Sequence, residues 1–439
     1  MKNRIKILLL AFCVALLFSG CTMRTLDEMY RLPRRSETDN DLQSTINEAM
    51  AGLNYAAPLA GENQQTVQMA DLNGDGKTEY IVFARDNANK AIRILIFAQT
   101  KDSFRLFAMI ESHGSAFEQV EYVNIDGKPG MEMVVGRQVS DQILRSLSVY
   151  TFSDDTPEQM MTANYLKFLT CDLDGNGKTE LLLIQPGETD ADRGVVTLYS
   201  YNQGMERSRE VLLSASAASV RRIMTSRLES GENAVFVASS VDESAVITDV
   251  FTVRDGSLSN ISFSKESGNS VQTLRNYYVY ADDIDGDGVL ELPSLITMRD
   301  IRSSTSSGQQ YLIRWYSMDI SGQEHTKRHT FHNYVGGWYL ELEDDWAERV
   351  SVIEASGSYW FYAWDVNFEN ADLVFSIHVL TGSDREEASE IDNRFVLHRS
   401  EGVIYAARLE SAAADYRITK EDLAPCFHLI HQAWKTGET

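Results

Sequence analysis

The chain has 439 residues, of which 43% are hydrophobic, so it can bury the core of more than one domain. Acidic residues number 64 and basic residues 40, which gives a formal net charge of −24 at pH 7. A surface of this sign repels phosphate, so we expect no nucleic-acid partner.

The first twenty residues have the pattern of a secretion signal. Three basic residues precede an apolar run over residues 7–18, and the sequence Ser-Gly-Cys follows at 19–21. The apolar run is too short to span a membrane comfortably, and it ends in small residues. The sequence therefore predicts that residues 1–20 form a cleaved signal peptide.

The Ser-Gly-Cys sequence resembles the lipobox of bacterial lipoproteins, although Phe18 stands where leucine is usual. The resemblance implies lipidation of Cys21 and attachment of the mature chain to a membrane through the lipid. The implied location is the cell envelope, on the outer side of the bacterial cytoplasmic membrane or in the periplasm. An ordinary signal peptide with an incidental cysteine and an uncleaved anchor are the alternatives.

Residues 21–60 are predicted to form a polar tether followed by a short helix over residues 36–53. Five apolar residues fall on one stripe of this helix, namely Leu42, Ile46, Ala49, Met50 and Leu53. After residue 60 the pattern changes to β.

Short apolar strands recur through residues 61–332. The residue that precedes the second strand of each unit stands at positions 79, 132, 180, 233 and 291, roughly 50 residues apart. A unit of this length with about four strands is what a β-propeller blade requires, because neighbouring blades bury both faces of each sheet. The predicted fold is therefore mainly β, with a β-propeller of at least five four-stranded repeats.

The repeat fades from residue 333. Residues 333–439 are expected to form a C-terminal α+β region, with further blades plus a helix as the alternative. Thr419 is predicted to cap a closing helix whose apolar face carries Leu423, Phe427, Ile430, His431 and Trp434.

A loop in the first repeat places oxygen-bearing side chains at alternate positions. Asp71, Asn73 and Asp75 precede Glu79 at the ninth position, and Lys77 offers its backbone carbonyl. Ca²⁺ takes about six to eight oxygen ligands, and the intervening glycines let the backbone wrap around an ion. Two further copies offer the same set at Asp172, Asp174, Asn176, Lys178 and Glu180, and at Asp283, Asp285, Asp287, Val289 and Glu291. The sequence predicts up to three Ca²⁺ sites, of which the third, with four carboxylates, should bind most tightly.

These loops are not EF-hands, which need an acidic ligand at position 12 and a following helix. Position 12 is Val82, Leu183 or Ser294, and an apolar strand follows. The loops instead resemble the FG-GAP repeats of integrin alpha-chain propellers and the related bacterial VCBS-type repeats, over about residues 60–330. The resemblance implies one Ca²⁺ per loop, with glutamate replacing the usual aspartate at position 9. Metal-free hairpin turns are the alternative.

Two other loops at equivalent places lack a complete ligand set. In the loop that begins at Asn124, Lys128 replaces the third ligand, and in the loop that begins at Thr225, Arg227 replaces the second. We expect both loops to be metal-free, with these internal cations in place of an ion.

The sequence contains no recognisable catalytic constellation. His325, His329 and His332 are expected to lie on the surface, because neighbouring lysine and arginine repel a metal ion. The aromatic run over residues 357–365 is expected to be core, although an exposed run could stack sugar rings.

These features predict a surface-anchored, calcium-binding lipoprotein that is not an enzyme. It would act as a binding or scaffold module for an extracellular protein or glycan. FG-GAP-like propellers also occur in polysaccharide lyases, so a carbohydrate-active enzyme, either a lyase or a hydrolase, is the alternative. An open groove around Trp338, Trp360 and Trp364 would favour the enzyme, and burial of these rings would count against it.

Overall fold

The computed structural model describes residues 37–430, except 89–90, 102, 140–144, 154–155, 190–191, 243, 276–278 and 302–309. Cys21, His431 and Trp434 lie outside the described residues. Strands account for 53% and helices for 10%, so the chain is mainly β, as predicted. In the described ranges, no helix is both long enough and apolar enough to cross a membrane.

The described strands form six antiparallel sheets that follow one another along the chain. Sheet 1 contains β1 (Leu53–Tyr55), β2 (Val67–Ala70), β3 (Glu79–Asp86), β4 (Ile92–Gln99) and β5 (Phe104–Ser112). Sheet 2 contains β6 (Ala116–Val123), β7 (Glu132–Gln138), β8 (Arg145–Ser153) and β9 (Thr156–Tyr165). Sheet 3 contains β10 (Lys167–Cys171), β11 (Glu180–Gln185), β12 (Val195–Tyr201), β13 (Met205–Arg207) and β14 (Val211–Leu212).

The last three sheets take up the rest of the chain. Sheet 4 contains β15 (Val220–Arg227), β16 (Asn233–Ser240), β17 (Val246–Arg254) and β18 (Ser257–Asn260). Sheet 5 contains β19 (Leu292–Thr297), β20 (Tyr311–Met318), β21 (Glu324–Asn333), β22 (Trp338–Leu342) and, from the end of the chain, β28 (Phe427–Leu429). Sheet 6 contains β23 (Val350–Ala355), β24 (Ser358–Trp364), β25 (Ala371–Thr381), β26 (Phe395–Ser400) and β27 (Val403–Leu409). The α-helices are α1 (Glu37–Ala49), α2 (Asp344–Ala347), α3 (Arg385–Glu390) and α4 (Lys420–Leu423).

Each sheet packs against the next sheet along the chain. Side chains on a strand alternate between its two faces, so a strand with apolar residues at both sets of positions can contact a neighbouring sheet on each side. Phe83 of sheet 1 meets Phe117 of sheet 2 edge to face, with ring centroids 5.0 Å apart. Similar cores join sheets 2 and 3, 3 and 4, 4 and 5, and 5 and 6. The described cores do not join sheet 6 to sheet 1, so the described chain is a run of six sheets without a demonstrated closure.

Helix α1 covers the face of sheet 1 that points away from sheet 2. Ile46 and Met50 are buried against Val82 and Phe97, whereas Phe83, next to Val82, faces sheet 2. The predicted helix is therefore confirmed over Glu37–Ala49, with Leu42, Ile46 and Ala49 in this cluster. Met50 and Leu53 join the same cluster from beyond the helix, and Leu53 begins β1.

Sheet 5 does not end where the sequence analysis placed a boundary. The boundary expected between residues 332 and 333 falls inside β21, and β22 extends the same sheet. Residues 350–409 form a sixth antiparallel sheet that shares a hydrophobic core with sheet 5. The repeat was hard to see here because the acidic loops, which mark the earlier sheets, are absent from this part of the sequence.

The closing helix is much shorter than predicted. Thr419 caps α4 together with Asp422, as expected, but the helix ends at Leu423. Phe427 then begins β28, which pairs with β22, and its ring packs 5.5 Å from Trp338. Burial in the core between sheets 5 and 6 therefore outweighs the helical spacing of these apolar residues.

Candidate metal centres

Five nine-residue segments that the sequence aligns as loops lead into β3, β7, β11, β16 and β19. In the fourth, the first three positions belong to β15, so the connection itself is only residues 228–232. Loop 1 to loop 5 comprise residues 71–79, 124–132, 172–180, 225–233 and 283–291. Loops 1 to 4 connect the first strands of their sheets, as predicted. Before loop 5 the described residues form only an isolated bridge between Asp282 and Glu291.

A buried glutamate occupies the ninth position of four loops, namely Glu79, Glu132, Glu180 and Glu291. In each case its Oε2 accepts a hydrogen bond from the backbone N–H of the second loop residue, over 2.9, 2.7, 2.7 and 3.1 Å respectively. This bond attaches each loop to the strand that follows it. Sequence reasoning assigned these glutamates only to a metal and missed their role in shaping the loop.

Burial raises the pKa of all four glutamates, to about 7 for Glu180 and about 8 for Glu291. In loop 5 the negative charges of Asp285, Asp287 and Asp283 raise the pKa of Glu291 further. An ionised carboxylate that is both buried and surrounded by acids destabilises the loop unless a cation neutralises it.

Loop 3 brings three carboxylates together. Oxygen atoms of Asp172, Asp174 and Glu180 lie within 4.8 Å of one another. Asp172 accepts a hydrogen bond from the N–H of Gly177 through Oδ2 over 2.9 Å, and its buried Oδ1 has no partner among the described residues. Asp174 accepts from the backbone N–H and the side-chain amide of Asn176. This cluster could hold a metal ion, because its carboxylate oxygens converge and one of them, Oδ1 of Asp172, has no donor among the described residues.

Loop 5 brings a second set of carboxylates together. Oxygen atoms of Asp283, Asp285 and Asp287 also lie within 4.8 Å of one another. Glu291 is fully buried behind them, and its Oε1 has no hydrogen-bond partner in the described part of the chain. This cluster could likewise hold a metal ion.

The glycines of these loops have the backbone conformation that the sequence predicted. The φ angles lie between 72° and 84° at Gly74, Gly76, Gly175, Gly177, Gly286 and Gly288. Residues with a Cβ rarely adopt these angles, so glycine is required for the wrapped backbone.

Loop 1 differs from loops 3 and 5. Asp71, Asp75 and Glu79, all of which the structure describes, do not form a cluster of the same size. The carboxylate of Asp71 accepts hydrogen bonds from the N–H groups of Gly74 at 2.8 Å and Gly76 at 3.0 Å. Asp283 of loop 5 accepts the equivalent two bonds over the same distances, so the difference lies in the spacing of the acidic side chains and not in these bonds. The structure thus gathers the acidic residues in two of the three loops predicted to bind Ca²⁺.

Loop 2 fills its centre with protein groups. The side-chain amide of Asn124 donates to the carbonyl oxygens of Lys128 at 2.6 Å and Gly130 at 3.3 Å. The Lys128 ammonium lies 2.7 Å from Asp126, so the expected ion pair forms, but the Lys128 side chain is exposed and not internal to the loop. Donors therefore occupy the oxygens that a cation would need.

Loop 4 is neutralised by a different residue from the one predicted. Arg227 is exposed, and no described carboxylate of its own loop pairs with it. Glu229 pairs instead with Lys327 of β21, over 2.8 Å. The expectation that Arg227 supplies the internal cation is wrong, because Lys327 of the neighbouring sheet pairs with the carboxylate of loop 4 instead.

Lys327 also reaches loop 5. Its ammonium lies 3.3 Å from Oδ2 of Asp287, one of the clustered carboxylates. Hydrogen bonds to Glu229 and to Asp287 raise the pKa of Lys327, so it stays charged. A fixed positive charge beside loop 5 opposes the binding of a cation there, which offsets the advantage of its four carboxylates.

Successive loops are hydrogen-bonded to one another. The backbone carbonyl at the first position accepts a hydrogen bond from the following loop in three pairs: Asp71 from the N–H of Met131 at 3.0 Å, Asn124 from the N–H of Thr179 at 2.8 Å, and Asp172 from the side chain of Asn233 at 2.6 Å. Loops 4 and 5 are joined by Ser226, whose hydroxyl donates to the carbonyl of Gly288 at 3.3 Å. An ion in one loop therefore restrains its neighbour.

Two of the three histidines expected on the surface are buried. His329 and His332 lie on β21, which runs between two other strands of sheet 5. Nδ1 of His329 is 2.7 Å from Asp344, and the ring of His332 stacks on Tyr339 with centroids 5.0 Å apart. Burial lowers the pKa of His332 to about 3, so this ring is neutral.

The three tryptophans do not line one groove. Trp338 is fully buried between sheets 5 and 6, where it meets Tyr359. Trp360 and Trp364 are half-buried on the opposite face of sheet 6, because β24 alternates its side chains. The prediction that this aromatic run is buried in the core is therefore correct only for every second residue of β24.

No known protein family matches the sequence, and no curated protein matches it. Among solved structures, the exotype rhamnogalacturonan lyase YesX aligns with a TM-score of 0.28 and 12% identity, over 72% of this chain and 62% of that enzyme. The Bacillus licheniformis rhamnogalacturonan lyase PL11 gives 0.29 and 12%, over 73% and 72%. TolB from Acinetobacter baumannii gives 0.23 and 10%, over 77% and 71%. All three TM-scores are under 0.5, so what these proteins do carries no argument for this chain.

The position of Lys327 leads to a prediction about loop 5. In a chain whose loop 3 is disabled by Asp174→Ala, Lys327→Gln should raise the calcium affinity of loop 5 by about threefold to tenfold, because it removes a nearby positive charge. Isothermal titration calorimetry with Ca²⁺ measures this change. The matched control is Arg328→Gln, which removes the same charge from an exposed side chain. An unchanged or lower affinity in the Lys327 variant would contradict the interpretation.

Proposed function

We propose that this chain is a calcium-binding, propeller-like lipoprotein of the cell envelope that binds an extracellular protein or glycan without catalysing a reaction. The calcium-binding part depends on one observation. Loops 3 and 5 each gather three carboxylates, and each contains one buried carboxylate oxygen that has no hydrogen-bond donor in the part of the chain that the structure describes.

The ligand atoms favour calcium over other cations. Every side chain of the two clusters offers oxygen, whereas zinc and copper sites in proteins are rich in histidine and cysteine. The loops are open and wrapped by flexible glycines, which suits the variable geometry of Ca²⁺ better than the strict octahedron of Mg²⁺. Asn176 and the carbonyls of Lys178 and Val289 are the further ligands that the sequence offers.

A propeller-like arrangement is supported by the way in which the sheets repeat. Six antiparallel sheets follow in order, each sharing a core with the next, and loops 1 to 5 stand at equivalent places in sheets 1 to 5. This is how blades follow one another in a propeller.

The anchor is proposed from the sequence around Cys21, which lies outside the described residues. A lipid on this cysteine would hold the sheets at the membrane surface through the polar stretch that ends near residue 35. Metabolic labelling with a fatty-acid analogue tests this step, and an unlabelled Cys21 in the wild-type chain would count against it.

A binding role is favoured over catalysis because the tryptophans do not form an open groove. The two roles are separated by a glycan array and a turnover assay on polysaccharides, each carried out with calcium and with chelator. We expect the chain to bind a ligand on the array and to leave every polysaccharide uncleaved in the turnover assay. Cleavage of a polysaccharide would instead establish the carbohydrate-active alternative.

Calcium should stabilise the chain through loop 5 and not through loop 2. Asp285→Asn should cost about 1 kcal/mol at millimolar Ca²⁺ and little in chelator, because it replaces a charged ligand with a neutral one and keeps the side-chain shape. Thermal unfolding in the two buffers measures the difference. The matched control is Asp126→Asn at the same position of loop 2, whose effect should be equal in both buffers. If Asp285→Asn lowers the melting temperature equally in both, calcium does not act through this loop.

A further inference from the structure

A cavity of about 920 Å³ opens beside the first strands of sheets 2, 3 and 4. Its lining includes Glu118 on β6, Lys167 on β10, and Arg221 and Arg222 on β15, together with Arg145 at the start of β8. Lys167 is the first residue of β10, whereas loop 3 follows the last residue of this strand. The cavity therefore lies at the opposite end of β10 from the acidic loop.

The charges around the cavity are unbalanced. Glu118 is the one acidic residue among the described lining residues, and it forms an ion pair with Arg145, whose guanidinium lies 3.0 Å from its carboxylate. No described carboxylate forms an ion pair with Lys167 or Arg221. Burial lowers the pKa of Arg222, and the negative charge of Asp282 opposes this shift. Two cations without an acidic partner among the described residues are the reverse of the overall balance in a chain of net charge −24.

Lys167 and Arg222 are in an unfavourable environment as long as no anion is bound. Burial lowers the pKa of the Lys167 ammonium, and the positive charges of Arg145 and Arg221 lower it further. Nε and Nη1 of Arg222 are buried without a hydrogen-bond partner in the described ranges, and its guanidinium lies 5.9 Å from the ring centre of Tyr280. A bound anion would relieve each of these costs.

A neutral donor lies in the same wall. Tyr165 lines the cavity, is 1% exposed, and has a hydroxyl without a hydrogen-bond partner among the described residues. Its ring packs edge-on against Phe168 with centroids 5.2 Å apart. The hydroxyl lies against Gly136, where a Cβ would be only 2.2 Å away from it. A phenol held in this way can donate to an oxyanion.

We propose that this cavity binds an organic anion that carries a carboxylate or phosphate group and is about the size of one or two sugar residues. Arginine matches both groups with paired N–H donors, and Lys167 adds a point charge. The volume lies within the range that is usual for small-molecule sites. The inference rests on the binding role proposed above and gives it a ligand class, but it does not require the calcium loops.

The experiment uses the chain freed of calcium on a chelating resin, so that no soluble chelator competes as an anion. Inorganic phosphate, glucuronate and glucose are titrated into it by calorimetry at low ionic strength. Binding of phosphate alone identifies a phosphate ligand, and binding of glucuronate alone identifies a carboxylate; either result supports the proposal. Absence of binding for both anions, or glucose binding as tightly as glucuronate, overturns it.

Variants locate the binding in the cavity. Lys167→Gln and Arg221→Gln should each weaken the binding of the anion about tenfold. Arg209→Gln, which removes an exposed arginine outside the cavity, should leave it unchanged. An equal loss in all three variants would show non-specific attraction and contradict the proposal.

Thermal unfolding separates a ligand-binding lysine from a structural one. Without an anion, Lys167→Gln should raise the melting temperature, because it removes a cation that two arginines repel. The anion should raise the melting temperature of the wild-type chain and not that of the variant. A variant that is less stable without the anion would contradict the role given to Lys167.

The two proposals fail in different ways. A chain that calcium stabilises, but that binds neither anion, contradicts only the proposal for the cavity. A chain that shows neither effect contradicts the proposed function as well.

Discussion

A hydrogen bond from a backbone N–H to a buried glutamate recurs in four loops and attaches each of them to the following strand. A buried carboxylate needs a full set of donors or a neutralising cation if it is to stay ionised, and otherwise it takes up a proton. Loop 2 follows the first course, since Thr151 donates to the second oxygen of Glu132 at 3.2 Å. Loop 5 has no such donor among the described residues for Glu291, and it surrounds this glutamate with three aspartates. The same bond between the loop backbone and a buried glutamate therefore occurs both in loop 2, where protein donors satisfy the glutamate, and in loop 5, where an ion could do so.

The effect of an ion extends beyond its own loop. Asp172 of loop 3 accepts a hydrogen bond from Asn233, the residue at which β16 of the next sheet begins. The cores between sheets nevertheless contribute far more to the free energy of folding than the ions do. Each ion adds only about 1 kcal/mol at millimolar calcium. Calcium should therefore stiffen one edge of the array without deciding whether the sheets form.

The loops could be predicted from the sequence because their structure is local. The ligands, the glycines with positive φ and the bond to the buried glutamate all fall within nine consecutive residues. Lys327 could not be placed in the same way, since it is 40 residues from Asp287 and reaches it only through the arrangement of sheet 5. The cavity shows the same difficulty, because its cations come from three different sheets. The prediction of a helix around Phe427 was wrong for a related reason. A short apolar segment fits both the helical and the strand periodicity, and here pairing with β22, which is distant in sequence, selects the strand.

A direct count of bound ions tests the account most closely. Equilibrium dialysis of the metal-free chain against millimolar calcium should give two ions per chain, one for each carboxylate cluster. Glu291→Gln should reduce the count to one, whereas Glu132→Gln, the same change in the loop closed by protein groups, should leave it at two. No bound calcium in the wild-type chain, or the same loss in both variants, would contradict the assignment of an ion to the glutamate that lacks a donor.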